Sequence, residues 1–244
     1  MKIVMLGATR GIGRSLARLL AARGDSIHVL GRNAEDVAKC AEDLKVRGAA
    51  AVSTGVCDLM TPAGFGPALD AADTALGSFD TVILTAGIFG TQDELGADRV
   101  RASAVLTANF TNSILFCEEA RIRLLARGGG RLVVFSSVAG ERGRKPVVIY
   151  GSTKAGLSHY LEGLDHLYRA EGLITTCVKP GFVRTAMTQN LKEPPFAGDP
   201  DDVAKTVLGA ILRGNPVVYA PPIWALVMMV IRNLPRAVMR AVKF

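Results

Sequence analysis

The chain has only four cysteines in 244 residues, Cys40, Cys57, Cys117 and Cys177, and they lie too far apart for a disulfide framework or a paired metal-ligand spacing. That argues against a disulfide-stapled scaffold and a zinc module, and it points to a reducing cytoplasm and a chemistry without metal. Long apolar runs are also scarce. The segment Met1 to Leu6 breaks at Gly7, short of a signal peptide, and Ile223 to Ile231 is too short to span a bilayer. Internal repeats and low-complexity stretches are missing, and the length does not force a second domain, so one domain over residues 1–244 is expected. Aromatic residues interleaved with basic ones are absent too, which argues against nucleic acid as a partner.

Charge is present but unevenly placed. Of the formal net charge of +7, Arg232, Arg236, Arg240 and Lys243 supply four positive charges in a tail without any acid. Over residues 223–244 these arginines recur every four positions, and Leu234, Val238, Ala241 and Val242 can form the opposite side. Such a basic amphipathic segment can touch an acidic membrane peripherally at its inner face. The competing reading is a carboxy-terminal helix docked on the body or on a neighbouring subunit.

Short apolar runs alternate with longer helical patterns. Strands are predicted at Ile3 to Leu6, Ser26 to Leu30, Ala51 to Thr54, Thr81 to Leu84, Leu132 to Phe135, Thr175 to Val178 and Val217 to Tyr219. Helices are predicted at Gly11 to Arg23, Ala34 to Arg47, Gly64 to Leu76, Arg99 to Ala126, Ile149 to Ala170 and Pro200 to Leu212. This alternation implies an α/β fold, a doubly wound, seven-stranded parallel sheet with helices on both faces. Ligands in such sheets bind beyond the carboxyl ends of the strands, where this sequence places its glycines and hydroxyls.

The turn Gly7-Ala8-Thr9-Arg10-Gly11-Ile12-Gly13 joins the first strand to the first helix. Its glycines let the backbone approach a pyrophosphate at the positive end of that helix, which makes Gly7, Thr9, Arg10, Gly11, Ile12 and Gly13 cofactor-binding candidates. Tyr150 and Lys154 stand four residues apart, hence on one helix face. A charge about 4 Å away at an effective dielectric near 20 is worth about 4 kcal/mol, enough to pull a phenol down from about 10 toward neutrality. Ser137 precedes Tyr150 by 13 positions, at the end of the fifth strand.

The Gly-x-x-x-Gly-x-Gly turn, the Tyr-x-x-x-Lys pair and the Ser137 spacing together resemble the short-chain dehydrogenase/reductase family, over nearly the whole chain. The resemblance implies a Rossmann-type fold and hydride transfer between a nicotinamide and a carbonyl carbon. It implies Tyr150 as proton donor, Ser137 polarising the carbonyl and Lys154 holding the nicotinamide ribose. Asn109, in Thr107-Ala108-Asn109-Phe110, would hold a water linking Lys154 to solvent. Asp58, followed by Leu59, stands where the family contacts adenine. Thr85-Ala86-Gly87 resembles an Asn-Ala-Gly segment without its Asn, leaving Ala86 and Gly87 as contacts. That departure, with Leu6 where the family often has Thr, is expected to weaken the bonds that stabilise the glycine turn. Pro180, Gly181, Val183 and Thr185 belong to a segment resembling the one that closes over the nicotinamide, with a lid running on to Asp199. Homodimers or homotetramers through the helices near Arg99 to Ala126 and Ile149 to Ala170 are implied.

Leu30-Gly31-Arg32-Asn33 ends the second strand, where proteins that prefer NAD place a carboxylate. Gly31 cannot serve so, whereas Arg32 offers a charged fork for a 2′-phosphate, with Arg10 as reinforcement and Asn33 beside it. NADP(H) is therefore expected over NAD(H). A narrower likeness lies in Ser-Ser-Val-Ala-Gly-Glu-Arg, Tyr-Gly-Ser-Thr-Lys-Ala-Gly-Leu, Lys-Pro-Gly-Phe-Val-Arg-Thr-Ala-Met and the Val-Met-Met-Val-Ile-Arg-Asn-Leu-Pro-Arg tail. These segments are similar to ketoreductase components of decaprenylphosphoryl-ribose 2′-epimerases, which reduce a ketosugar on a polyprenyl phosphate. The likeness implies a lipid-linked or otherwise anionic carbonyl substrate, which the basic tail and the basic loop Arg142 to Lys145 would suit, although a solvated loop is the favoured reading of that stretch. The competing class is a noncatalytic NADP-binding regulatory protein, against which the intact Asn109, Ser137, Tyr150 and Lys154 set argues. His159 and His166 share a helix face, lack a third ligand and are expected at the surface.

Overall fold

The computed structural model describes residues 1–242; Lys243 and Phe244, the end of the basic tail, lie outside the described residues. In chain order the elements are β1 (Lys2–Leu6), α1 (Gly11–Ala22), β2 (Ser26–Gly31), α2 (Ala34–Val46), β3 (Ala51–Val56), α3 (Phe65–Leu76) and β4 (Thr81–Leu84). There follow α4 (Gln92–Ala97), α5 (Arg99–Leu106), α6 (Asn112–Leu125), β5 (Gly130–Phe135), α7 (Val148–Tyr168) and β6 (Leu173–Pro180). The chain ends with α8 (Pro200–Arg213), β7 (Val217–Ala220), α9 (Ile223–Asn233) and α10 (Arg236–Ala241).

The strands form one sheet in the order β3-β2-β1-β4-β5-β6-β7, with every neighbouring pair parallel. Successive residues of a strand face opposite layers, and both layers are apolar. Val4, Val82, Leu132 and Val134 join Phe65, Phe116 and Leu161 of α3, α6 and α7 in one core. Ile3, Met5, Ile83 and Val133 join Leu16, Leu20, Val207 and Ile211 of α1 and α8 in the other. Strand order reverses between β1 and β4, which opens the crevice expected of a doubly wound sheet.

Three features differ from the sequence expectations. The helix predicted from Arg99 to Ala126 is interrupted by a π-helical turn at Thr107–Thr111, centred on Asn109. The short helix α4, closed by a reciprocal Thr91–Glu94 capping box, lies where no helix was predicted. The tail is two helices, because Pro235 cannot continue α9 and restarts the chain with a new rotational phase. Trp224, Met228 and Ile231 of α9 dock on the body around Val138 and Phe182, and Met239 packs inward from α10. Val238, placed opposite the arginines in the sequence pattern, is exposed. Among the described residues, no helix is long and apolar enough to cross a membrane.

Candidate functional site

The glycine turn needs its glycines for two separate reasons. Gly7 and Gly11 have φ values of 107° and 53°, which side chains resist, and a Cβ on Gly13 would lie 2.2 Å from the Gly7 carbonyl oxygen. Thr85 donates its hydroxyl to that same carbonyl at 2.8 Å. The expected weakening of the turn is thus corrected: Thr85 itself supplies a bond that pins β1's turn to β4's end. No side chain caps the start of α1, so its first N–H groups stay available to an anion.

At the end of β2, a Cβ on Gly31 would meet Val37 Cγ2 at 2.8 Å, so a carboxylate side chain has no room there. Arg32 is exposed on the rim, while Arg10 is drawn to Asp36 at 3.0 Å, a neighbour that sequence reasoning missed. Asn33 uses its side chain to cap α2, accepting from Asp36 N at 2.9 Å, which leaves its backbone facing the groove. Asp58 accepts from Met60 N at 2.9 Å, and the buried Leu59 gives its carbonyl to Asn112.

All the cofactor candidates named from the sequence, together with Ser137, Tyr150 and Lys154, border one cavity of about 1040 Å³. Asn109 does not border it. Both ends of its buried amide go to Ile88, Oδ1 accepting from N at 2.7 Å and Nδ2 donating to O at 2.6 Å. The side chain therefore braces the wall beside Gly87.

Ser136 is buried, with its hydroxyl donated to Lys154 O at 2.9 Å and shared with Ser158. Ser137, which accepts from Ala139 N at 3.1 Å, borders the cavity near Tyr150. Burial pushes the Tyr150 phenol up to about 12, with the Ser137 hydroxyl pulling the other way. Burial also drives the Lys154 ammonium down to about 8. Its Nζ donates to Phe135 O at 2.8 Å and sits 5.8 Å from the centroid of the Tyr150 ring. Burial thus acts against the fall toward neutrality expected of the phenol, and the ammonium expected to cause that fall donates to a backbone carbonyl.

Opposite the glycine turn the walls are apolar. The lid after Thr185 lacks regular structure but is anchored by a bridge between Val183 and Gly198 and by Trp224 Nε1 donating to Phe196 O at 3.2 Å. Trp224, Val227 and Ile231 of α9 border the cavity, a role sequence reasoning missed although their spacing marks one helix face. The loop from Glu141 to Lys145, favoured as solvated, is tied down: Arg142 donates to Leu234 O at 2.9 Å and Lys145 to Arg240 O. Glu141 pairs with Lys179 and, at 3.2 Å, with Arg232. His159 and His166 are exposed, and the four cysteines are buried and unpaired.

The short chain dehydrogenase family matches residues 1–195 of this chain. An uncharacterized oxidoreductase of Mycobacterium tuberculosis is 35% identical over 240 residues, covering 98% of this chain and 95% of its own length. Carbonyl reductase family member 4 of Xenopus tropicalis is 28% identical over 217 residues, covering 84% of this chain and 88% of its own. Among solved structures, a short-chain type dehydrogenase/reductase from Mycobacterium ulcerans matches with a TM-score of 0.78 at 22% identity, over 89% of this chain and 86% of that one, a likeness of fold.

Proposed function

The chain belongs to the short-chain dehydrogenase/reductase family, and from that premise we propose that it reduces a substrate ketone with NADPH, using Tyr150, Ser137 and Lys154. It is an oxidoreductase of CH–OH and C=O groups. The observation that carries the finer reading is the convergence of these three side chains on the one cavity that also holds the glycine turn. The glycine turn bordering the cavity and the uncapped start of α1 fit a dinucleotide pyrophosphate. Asp58, Leu59, Ala86 and Gly87 would follow toward the adenine and ribose, and Pro180, Gly181, Val183 and Thr185 would cover the nicotinamide. When bound, that cofactor supplies the hydride.

The protein's own part is to place and protonate the carbonyl. Tyr150, held protonated by burial, donates to the carbonyl oxygen, and Ser137 polarises it. Lys154 supplies positive charge beneath both. Exclusion of a side chain at Gly31, with Arg32 and Arg10 at the rim, supports NADPH over NADH.

The name of the Xenopus relative agrees with a carbonyl substrate for this chain, and the narrower likeness to polyprenyl-phosphate ketosugar reductases supports a lipid-linked or anionic one. Exposed Leu106, Phe110, Leu115, Ile122 and Leu167 on α5 to α7 and the turn between them support a homodimer or homotetramer. Ile223, Leu226, Met229 and Val230 on the outer side of α9, beside Arg232, Arg236 and Arg240, support peripheral contact with the inner face of a membrane. Buried unpaired cysteines support a cytoplasmic setting. The test is Tyr150→Phe, which should keep NADPH binding and lose about 10²- to 10⁴-fold in turnover on any accepted ketone. A fully active variant would refute the assignment.

A further inference from the structure

The loop between Ser137 and Tyr150 carries three cations, and the fold disposes of them unequally. Arg142 and Lys145 are used on carbonyls of the tail. Arg144 borders the cavity, beside Pro146, Val147 and Tyr150. Its Nε is buried with no hydrogen-bond partner, and among the described residues it pairs with no carboxylate. Burial alone acts on its basicity, lowering it, with no neighbouring charge to restore it.

An arginine keeps its charge at any working pH and presents planar donors suited to paired oxygens. Buried polar groups are as a rule satisfied, and the Nε of the partly buried Arg144 is not. Phe89, Phe182, Met187, Leu191, Phe196 and Trp224 of the same lining are apolar, and the two acids that border the cavity, Asp36 and Asp58, stand after β2 and β3 and make no ion pair with Arg144. A ligand can. We propose that Arg144 is the anion-recognition residue of the substrate pocket, taking the carboxylate or phosphate oxygens of a ketone whose remaining body is apolar.

This deepens the reductase reading and rests on it. It is separate from the cofactor's phosphates, because the loop follows β5 whereas the glycine turn follows β1 and Arg32 follows β2, two and three strands away, or about 10 and about 14 Å across the sheet. Five residues separate Arg144 from Tyr150, so the anion would be held on the loop side of the reacting carbonyl.

Trp224, the one tryptophan of the chain, borders the same cavity and serves as the reporter. The full-length protein is titrated with decanoate, decyl phosphate and decanol, each below its micelle concentration, with tryptophan fluorescence as readout. NADPH is titrated separately by its own fluorescence. The expected result is that one or both anions bind wild type at least about tenfold tighter than decanol, and that Arg144→Ala weakens them about 10- to 100-fold. Decanol and NADPH should bind the variant as before, and Arg144→Lys should recover part of the loss. The two anions distinguish a carboxylate from a phosphate preference. Equal binding of anions and decanol by wild type overturns the proposal, as does a variant that loses decanol or NADPH as strongly as the anions. Should Arg144→Ala fail to fold, the wild-type comparison and Arg144→Gln decide. Because no turnover is read, a protein that binds the anions through Arg144 but reduces no ketone would sink the reductase reading alone.

Discussion

Glu141→Gln should destabilise the chain by about 2–4 kcal/mol, because it strands a buried lysine. The Glu141 side chain is 5% exposed and that of Lys179 13%, so neither charge can turn to water. Breaking one partner of a buried pair costs about 3–5 kcal/mol. Two contacts soften the loss. Lys179 Nζ lies 5.6 Å from the centroid of the Tyr219 ring, an attraction of about 0.5–2 kcal/mol that survives the change. Glutamine can still accept from Tyr219, whose hydroxyl reaches Glu141 Oε2 at 3.2 Å. Arg232 adds little, since it is 48% exposed and a pair of that kind is worth about 0–1 kcal/mol. Urea unfolding followed by circular dichroism and Trp224 fluorescence measures the sum. Lys179→Met in the same chain removes the stranded cation, so the double variant should regain much of the loss, and the cycle of four proteins isolates the coupling. A cost under about 1 kcal/mol, or a double variant no more stable than Glu141→Gln, would refute the reasoning.

Arg32→Ala should weaken NADPH about 10- to 100-fold while leaving NADH unchanged, the loss of one charge-assisted phosphate contact. An equal fall for both nucleotides in a fluorescence titration would remove Arg32 from the selectivity argument. Deleting residues 235–244 should weaken sedimentation with acidic vesicles, and high salt should do the same to the full chain. Unchanged binding, or none in either form, would end the membrane proposal. The buried Lys154 predicts a stability that rises with pH: the unfolded lysine keeps its proton up to about 10.5 while the folded one releases it near about 8, so the unfolded state binds more protons between them. From pH 8 to 10 the gain is up to about 3 kcal/mol at about 1.4 kcal/mol per pH unit. Above about 10 the sign reverses, since unfolded Tyr150 ionises there while the folded phenol holds its proton to about 12. Urea midpoints of wild type and Lys154→Met across pH 7 to 10 should differ by an amount that shrinks as pH rises; a constant difference would contradict the buried ammonium.

The central strands were legible because strands buried on both faces must be continuously apolar, and each predicted run falls inside an observed strand, the exposed edge strand β3 included. What escaped the sequence was decided by partners far along the chain. The break at Asn109 depends on Ile88, 21 residues away, and the strength of the glycine turn depends on Thr85, 78 residues from Gly7. Tyr150 and Lys154 share a helix face as their spacing requires, but spacing says nothing of Phe135 O, which takes the ammonium. The short helix α4 carries its start signal in Thr91-x-x-Glu94, but its 6 residues are too few to show a helical period. In the loop before Tyr150 the three cations look alike as letters, and only packing separates two that hold the tail from one that borders the cavity.

That last distinction bears on where specificity resides. The family match ends at residue 195, and the chemical side chains all precede it. Phe196, Trp224, Val227 and Ile231, which border the cavity, all follow it, whereas Phe89, Arg144, Phe182, Met187 and Leu191 of the same lining precede it. The later segment is also wired to the earlier one: Trp224 holds the lid at Phe196, Arg142 and Lys145 hold the tail's carbonyls, and Glu141 joins β6 to α9 through Lys179 and Arg232. Loop, lid and tail therefore form one connected mouth over a reaction centre fixed by strand ends. A surface or subunit that engages the outer side of α9 would act on the same helix whose inner side borders the cavity.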